Sequence, residues 1–237
     1  MTEKKSAAVL KVKNLSVTLD GEKILDRISF NVQRGEALAI IGPNGAGKTV
    51  LFRALLGLLP SQGEIKWQEG LKIGYIPQKF FLEKNIPLTV EEFFLLKSPS
   101  FWRKNRIFSN RLADELSIFG LKHDILQKPV GELSGGQFQR LAIVWAMLDH
   151  PDVLLVDEPT ANIDIGFEEN VYQILHKMQI ELQTAILLIS HDLHIIYKYA
   201  QQVLCLNRQV LCQGPTEETL TGEELKKIYG ESAFHHH

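Results

Sequence analysis

The feature that most constrains this chain is one passage, Ala37 to Phe52, which reads ALAIIGPNGAGKTVLF. An apolar run leads into a loop, Gly42 to Thr49, that matches G-x-x-x-x-G-K-[ST], and an apolar helical pattern follows. Glycines let backbone N–H groups approach anionic oxygens, and a helix N-terminus adds partial positive charge. The passage therefore predicts a strand, a phosphate-binding loop and a helix, with Lys48 on the β- and γ-phosphates and Thr49 on Mg²⁺.

Short apolar runs rich in Ile, Val and Leu recur along the chain as EALAII (36–41), VLLV (153–156) and AILLIS (185–190). Such runs suit parallel strands buried on both faces, and helical patterns separate them. A strand pair around Asp20-Gly21 precedes them, and a hairpin and a closing helix end the chain. We expect an α/β fold: a P-loop core with a mostly parallel sheet, and an N-terminal antiparallel β subdomain.

The middle of the chain, from about Thr89 to Lys128, contains no run of the buried-strand type. Thr89 is followed by Glu92 in the spacing of a capping box, and Gly120 follows a helical pattern where a helix would stop. This stretch predicts a small helical subdomain inserted into the α/β core.

Composition excludes several classes of protein. The formal net charge is −2, so the chain lacks the basic footprint of a nucleic-acid-binding protein. No apolar run approaches the roughly 20 residues of a membrane helix, and we expect the chain itself to be soluble and cytoplasmic. Cys205 and Cys212 are too few for a disulfide framework and indicate buried thiols in a reducing compartment.

Two acidic residues follow the second apolar run, in VLLVDEP from Val153 to Pro159. Asp157 is placed to hold Mg²⁺, and Glu158 is placed to polarise an attacking water. A strand followed by an acidic helix cap is the alternative interpretation of such a pair, and the phosphate loop upstream disfavours it.

A third element, ELSGGQFQR, runs from Glu132 to Arg140. Ser134 and Gln137 have the spacing of a capping box, and Gly135 and Gly136 leave bare N–H groups at the helix start. Glycine costs about 1 kcal/mol relative to alanine within a helix, so two in succession indicate close approach of a ligand.

GPNGAGKT, LSGGQ and LLVDEP, in that order, resemble the nucleotide-binding subunit of an ABC (ATP-binding cassette) ATPase over nearly the whole chain. The resemblance implies a single ABC ATPase domain over residues 1–237, with a helical subdomain at about 86–147 that carries the LSGGQ signature. It also implies that Gln78 is the Q-loop glutamine, Asp164 the D-loop aspartate and His191 the switch histidine near the γ-phosphate.

The resemblance implies ATP and Mg²⁺ as cofactors and two copies joined head to tail, each site using Lys48 of one chain and Ser134 of the other. The implied catalytic residues are Glu158, His191 and Lys48, and the implied Mg²⁺ contacts are Thr49, Gln78 and Asp157. The implied nucleotide contacts are Gly42, Pro43, Asn44, Gly45, Ala46, Gly47, Lys48, Thr49, Val50, Ser134, Gly135, Gly136, Gln137 and Asp164.

The chain departs from the family pattern at two positions. Asp20 occupies the place of an aromatic residue that stacks on adenine in many members, so we expect loose discrimination between ATP and GTP. Trp145 stands where the common pattern has Arg, and we expect it to pack.

The segments IGYIPQKFFLEKNIPLTVEEFF and SHDLHIIYKYAQQVLCLNRQVLCQGPTEE are similar to those of zinc and manganese importer ATPases. This implies a peripheral subunit at the cytoplasmic face of the membrane, with a separate permease chain and a separate substrate-binding protein. An apolar groove around Phe80 to Lys97, including Phe81 or Phe94, is expected to receive the permease; the alternative is that these side chains fill the core of the helical subdomain. The alternative is a soluble ABC ATPase of iron–sulfur cluster assembly.

His194, Cys205 and Cys212 are interpreted as packing residues rather than metal ligands.

Overall fold

The computed structural model describes residues 8–78, 87–97, 106–159 and 165–229 of the 237-residue chain. The strands in these ranges are β1 (Ala8–Leu19), β2 (Glu22–Gln33), β3 (Ala37–Ile41), β4 (Gln62–Trp67), β5 (Ile73–Ile76), β6 (Val153–Asp157), β7 (Ala185–Ile189), β8 (Gln202–Asn207) and β9 (Gln209–Pro215).

The α-helices in the same ranges are α1 (Lys48–Leu55), α2 (Val90–Leu95), α3 (Arg106–Ile118), α4 (Gly135–Met147), α5 (Ile165–Leu182), α6 (Leu193–Tyr199), α7 (Thr216–Thr219) and α8 (Gly222–Tyr229). Two short 3₁₀ segments, His123–Gln127 and Val130–Glu132, precede α4. Within the described part of the chain, no helix combines the length and the apolarity that crossing a bilayer requires.

The core is a six-stranded sheet in the order β5-β6-β7-β3-β8-β9. All neighbouring strands pair in parallel except β9, which runs antiparallel to β8. Every residue of β3, β6 and β7 is buried, because helices cover both faces of the sheet. The three apolar runs therefore form the central strands, which confirms the predicted α/β core.

A second, antiparallel sheet in the order β2-β1-β4 forms the N-terminal subdomain. Its first hairpin turns at Asp20 and Gly21, whose φ angles of 49° and 80° both lie in the left-handed region. Such a turn matches the right-handed twist of the strands it joins. The buried face of this sheet shares one apolar cluster with α1 and the core sheet, so the hairpin is packed beside the first helix.

The helical middle of the chain contains α2, α3, the two 3₁₀ segments and α4. The capping box at α2 is present, since Thr89 Oγ1 accepts from the Glu92 amide at 3.2 Å and Glu92 Oε2 accepts from the Thr89 amide at 2.9 Å. Gly120, at φ 67°, ends α3, and the Leu121 amide donates to the Leu116 carbonyl at 3.0 Å. The predicted capping box at Thr89 and the predicted helix stop at Gly120 are therefore both confirmed.

The hairpin of β8 and β9 differs from expectation at its cysteines. Cys205 lies directly opposite Cys212 in the strand register, and the two form a disulfide with a Cα–Cα distance of 4.9 Å. The prediction of free thiols was wrong, because the seven-residue separation places the cysteines face to face only once the tight turn sets the register. Cys205 is fully buried, as the packing interpretation required. His194 is exposed on α6, so the same interpretation was wrong for that residue.

Candidate nucleotide site

The predicted site residues converge at one edge of the core sheet. β6, β7 and β3 are neighbours, and Glu158, His191 and the Gly42–Thr49 loop each follow the carboxyl end of one of these strands. Parallel strands place such ends at a common rim, where open α/β sheets bind their ligands. Segments far apart in the sequence thus form one site.

Two glycines allow the loop to wrap tightly. Gly42 has φ 152°, and a Cβ there would lie 1.9 Å from the carbonyl oxygen of Leu206 in β8. Gly47 has φ 96°, and a Cβ there would lie 2.7 Å from Leu25 Cδ2 in β2. A larger residue at Gly42 would require the backbone to move, because the close atom belongs to the main chain of β8. At Gly47 the close atom is a side-chain methyl, and the positive φ is what favours glycine.

Lys48 begins α1 and folds back over the loop. Its Nζ donates to the carbonyl oxygens of Gly42 at 2.7 Å and Pro43 at 3.0 Å. The residue is only 7% exposed, and burial lowers the pKa of its ammonium, while Glu158 and Asp157 oppose that shift. The first turn of α1 contains no acidic residue that would offset positive charge. The Lys48 ammonium and the free amides at the helix N-terminus therefore both favour an anion at the loop.

Thr49 and Asp157 meet beneath the loop. Thr49 Oγ1 donates to Asp157 Oδ2 at 2.9 Å, and Asp157 is 1% exposed. Burial raises the pKa of the Asp157 carboxyl to about 6, opposed by the hydrogen bond from Thr49. A hydroxyl and a carboxylate oxygen at this distance form an oxygen-donor pair of the type that Mg²⁺ selects.

Glu158 is held by two polar side chains. Gln78 Nε2 donates to its Oε2 at 2.5 Å, and His191 Nε2 lies 2.6 Å from its Oε1. Glu158 has φ 46°, a conformation that costs energy for a residue with a side chain, and its amide donates to the Ile189 carbonyl at 3.0 Å. The strained backbone turns the carboxylate back over the end of β7, where Gln78 and His191 contact it.

A cleft of about 380 Å³ opens in front of the loop. Gln78 and Glu158 lie at one part of its wall, and Leu19 and Ile24 of the N-terminal hairpin form another. The remaining lining residues are Asn44, Gly45, Ala46, Gly47, Lys48, Thr49 and Val50. Seven of the nine loop residues predicted to contact nucleotide, those at 44–50, therefore surround a single cavity of a size that suits a small ligand.

The signature segment lies elsewhere on the chain. Ser134 Oγ accepts from the Gln137 amide at 3.3 Å, and Gln137 Oε1 accepts from the Ser134 amide at 3.1 Å, which completes the predicted capping box. Ser134 and Gly135 are exposed, and none of the residues 134–137 lines the cleft. The folded chain therefore does not bring Gly136 or its neighbours to Lys48.

Sequence reasoning missed three residues and made one prediction outside the described ranges. Gln139, 3% exposed on the apolar face of α4, donates from Nε2 to the Pro159 carbonyl at 3.1 Å and so joins α4 to the segment after Glu158. A glutamine on a buried helix face was the signal that could have identified it. Leu19 and Ile24 line the cleft, whereas the neighbouring Asp20, to which the sequence assigned the adenine-stacking place, does not. Asp164 lies outside the described residues.

The strand–loop–helix, the capped signature helix and the buried aspartate follow one another in the order of an ABC cassette. The sequence profile of the ABC transporter family matches residues 25–161. The chain belongs to the ABC transporter family. It is therefore an ATP-binding chain with ATP hydrolysis of the ABC type as its activity. In this ABC ATPase the matched region begins in β2 and ends just after Glu158, so it contains the loop, the signature helix and both acidic residues.

Relatives of this ABC ATPase match it over nearly its whole length. The zinc import ATP-binding protein ZnuC of Photorhabdus laumondii is 38% identical over 225 residues, which cover 94% of this chain and 84% of the relative. The protein of the same name from Rickettsia prowazekii is 34% identical, covering 97% and 96%. A metal transport system ATP-binding protein of Thermotoga maritima is 37% identical, covering 93% and 90%.

Solved structures give the same architecture. A metal-chelate type ABC transporter in an inward-facing conformation has a TM-score of 0.79 and 26% identity, covering 94% of this chain and 89% of that chain. A dimeric ATP-binding cassette in a post-hydrolysis state with ADP and Pi has a TM-score of 0.73 and 25% identity, covering 87% and 98%. The fold prediction is therefore confirmed by structures of ABC ATPase domains.

Proposed function

We propose that this chain is the ATP-hydrolysing subunit of a membrane importer for a divalent metal ion such as zinc or manganese. The observation that carries the proposal is the likeness to zinc import ATP-binding proteins, which extends over 94% and 97% of this chain. These relatives do not favour the alternative of a soluble iron–sulfur assembly ATPase. The inferred partners are a permease chain at the cytoplasmic face of the membrane, a second copy of this chain and a separate substrate-binding protein.

We propose one ABC ATPase domain over residues 1–237, with the helical subdomain at about 86–147. The loop from Gly42 to Val50 holds the ATP phosphates through its backbone amides and the N-terminus of α1. Lys48 now bonds two loop carbonyls, and we expect its ammonium to exchange these for β- and γ-phosphate oxygens. Burial favours that exchange, because the low-dielectric surroundings strengthen the attraction between the ammonium and an anion.

The oxygen donors fit Mg²⁺. Thr49 Oγ1 and Asp157 Oδ2 lie 2.9 Å apart, and hard oxygen ligands of this kind suit the ion. We propose these two side chains and Gln78 as the groups that hold it. Bound Mg²⁺ would supply charge neutralisation on the phosphate oxygens.

Glu158 is the proposed general base. Its carboxylate takes a proton from water as the water oxygen attacks the γ-phosphorus, and the bond from that phosphorus to the bridging oxygen breaks to leave ADP and phosphate. His191, in contact with Oε1, is proposed to position the carboxylate and to lie beside the γ-phosphate. The turn of strained backbone at Glu158 keeps the base directed into the cleft.

We propose that the active unit contains two copies. Ser134 and Gly135 are exposed and away from the cleft of their own chain, while their capped helix offers bare amides to an anion. A second copy placed head to tail would bring Ser134, Gly135, Gly136 and Gln137 to the phosphates held by Lys48. Asp164 is proposed to lie at that interface. ATP would then bridge the copies, and hydrolysis would remove the contact.

The permease is proposed to dock on a groove of about 590 Å³ that lies between β5 and the end of α4. Its floor has Ile73, 37% exposed, and Trp145, and charged residues Lys97 and Asp149 form a rim. Trp145 packs on Phe93 with ring centroids 4.2 Å apart, which supplies the packing role that the sequence predicted.

The expected surface position of Phe94 was wrong. Phe94 is fully buried and packs against Phe93 and Trp145, so it fills the subdomain core. Phe81 lies outside the described residues. Ile73→Glu should uncouple transport and leave basal ATPase activity intact, whereas Leu211→Glu, on the exposed side of β9, should change neither. Normal transport by Ile73→Glu would place the docking surface elsewhere.

The metal-import proposal is tested by removing the gene from its native cells and measuring uptake of radioactive zinc and radioactive manganese. The native chain should restore uptake of at least one metal, and Glu158→Gln should restore neither. Unchanged uptake of both metals after deletion would refute import. A loss of iron–sulfur enzyme activities instead would support the alternative.

A further inference from the structure

The β8–β9 turn, residues 206–209, packs directly against the phosphate loop. A Cβ at Gly42 would lie 1.9 Å from the carbonyl oxygen of Leu206, so the two main chains touch at the start of the loop. Further along the loop, the Arg208 amide donates to the carbonyl oxygen of Ala46 at 3.0 Å. The turn therefore supports the loop at two separate points.

The same turn also holds the N-terminal hairpin, which forms part of the cleft wall. The Asp26 amide donates to the Arg208 carbonyl oxygen at 2.8 Å, and Gln209 Nε2 donates to Asp26 Oδ2 at 2.9 Å. Arg208 Nη2 lies 2.7 Å from Glu22 Oε1. The position of the β8–β9 turn thus affects both the phosphate loop and the hairpin beside it.

The disulfide closes a ring around this turn. Residues 206–209, which make all of these contacts, lie between Cys205 and Cys212. The two strands pair regularly as far as Cys205 opposite Cys212, and their register shifts before the next pair, Leu206 opposite Val210. The bond therefore fixes the last regular pair before an irregular turn, where strand pairing constrains the backbone least.

The disulfide is open to exchange with a small dithiol. Cys205 is fully buried and Cys212 is half-buried, so an external thiolate attacks the Sγ atom of Cys212. The bond between the two sulfurs breaks and Cys205 leaves as a thiolate. The second thiol of the reductant then displaces Cys212, so the protein gains two thiols and the dithiol becomes a disulfide. Two electrons pass from the reductant to the protein.

We propose that the Cys205–Cys212 disulfide is a redox switch for nucleotide binding. The proposed place of the chain is the cytoplasmic face of a membrane, and disulfides in such compartments are usually transient or redox-sensing. With the bond intact, the ring holds the turn against Gly42 and Ala46. With the bond reduced, the turn gains conformational freedom, and the loop has its phosphate-binding shape for a smaller fraction of the time. The proposal rests on the proposed phosphate site at Lys48.

The first test is calorimetric titration of ATP with Mg²⁺ into the full chain carrying Glu158→Gln, which prevents turnover. The chain is titrated with the disulfide intact, after reduction by dithiothreitol and after reoxidation, at a temperature where the reduced form is folded. Reduction should raise the dissociation constant about fivefold, and reoxidation should restore it. A change of less than about twofold on reduction overturns the proposal. Since every form is folded, a general loss of stability does not account for a change in affinity.

The second test adds Cys212→Ser to the same chain. This variant should bind ATP as weakly as the reduced chain does, and dithiothreitol should not alter its affinity. The matched control is Leu211→Ala, which changes the exposed neighbour of Cys212 within the same ring. The control should bind like the intact chain and respond to dithiothreitol in full. Affinity of Cys212→Ser equal to that of the intact chain refutes the switch.

Inorganic tripolyphosphate separates the possible outcomes, because it occupies the phosphate loop without a base or a sugar. Reduction should weaken its binding by the same factor as that of ATP. If reduction weakens ATP alone, the turn acts through the N-terminal hairpin and a switch acting on the loop is refuted. If both ligands bind equally well in the two redox forms, the phosphate site stands and only the switch fails. If neither ligand binds in either form, the phosphate site itself is refuted, and the switch fails with it.

Discussion

His191 Nε2 lies 2.6 Å from Glu158 Oε1, although the two residues follow different strands of the core sheet. β6 and β7 are adjacent and parallel, so their carboxyl ends bring the imidazole and the carboxylate together. Gln78 Nε2 holds the other carboxylate oxygen at 2.5 Å. The carboxylate of Glu158, the proposed base, is therefore oriented by Gln78 on one side and by His191 on the other. Substitution of either residue should disturb a different oxygen of that carboxylate.

Glu158→Gln should keep ATP binding, lower turnover at least 100-fold and trap a dimer of this chain. The amide preserves the shape of the side chain but does not accept a proton from water. Steady-state ATP hydrolysis and size-exclusion chromatography with ATP measure both effects. Hydrolysis at the native rate would refute the assignment of Glu158 as the base.

His191→Ala should lower turnover by up to about 100-fold with little change in ATP affinity, because the imidazole positions Glu158 rather than holding the loop. The matched control is His194→Ala, since His194 is exposed on α6 and does not line the cleft. Hydrolysis rates and ATP dissociation constants are measured for both variants. Equal loss of rate in the two would show that the effect does not depend on contact with Glu158.

Gly42→Ala should destabilise the chain more than Gly45→Ala. Both residues have positive φ, but a Cβ at Gly42 would lie 1.9 Å from the Leu206 carbonyl oxygen, while a Cβ at Gly45 meets nothing within 4 Å. The clash should cost about 1–3 kcal/mol beyond the shared backbone strain. Urea unfolding measures the difference, and equal midpoints would contradict the close approach of β8 to the loop.

Reduction of the Cys205–Cys212 disulfide should lower stability. The closed loop is short, with a separation of seven residues, which corresponds to about 2–3 kcal/mol in the chain-entropy account. For a chain of this size the melting temperature should fall by about 5–10 °C on addition of a reductant. The Cys212→Ser chain should melt at the temperature of the reduced native chain, and its melting temperature should not change when reductant is added. Two titratable thiols in the chain purified without reductant would refute the bond.

Asp152 should make stability depend on acid pH. The Lys72 amide donates to Asp152 Oδ2, and Arg34 Nη2 lies 3.0 Å from Oδ1, so the pKa of this carboxyl is held below its usual value. The contribution is present above the unfolded pKa near 3.9 and is lost as pH falls through the lower folded pKa.

Asp152→Asn should therefore cost about 1 kcal/mol of unfolding free energy at pH 7 and less below the folded pKa. Urea unfolding of both chains at the two pH values gives the difference. Asp114→Asn, at an exposed position on α3, is the control and should show no such pH-dependent cost. An equal cost of Asp152→Asn at both pH values would contradict the charge-dependent role.

Much of the fold was predictable because its signals are local. The apolar runs at β3, β6 and β7 report burial on both faces, and the capping residues Thr89 and Ser134 report helix starts. The burial of Phe94 and the pairing of Cys205 with Cys212 were not predictable. They depend on which element covers the helix and on the register of a hairpin, and neither is a property of a short segment.

The sequence by itself determined the three central strands of the core sheet, the motif of the proposed phosphate loop and the acidic pair after β6, because backbone preferences and motif chemistry act over a few residues. Only the tertiary structure decided that Gln78 and His191 both contact the carboxylate of Glu158 and that Leu19 and Ile24 line the cleft. The contacts to Glu158 arise because β5, β6 and β7 are adjacent parallel strands, and the cleft wall arises because the N-terminal hairpin packs on α1. Adjacency and packing follow from how the whole chain buries its apolar surface.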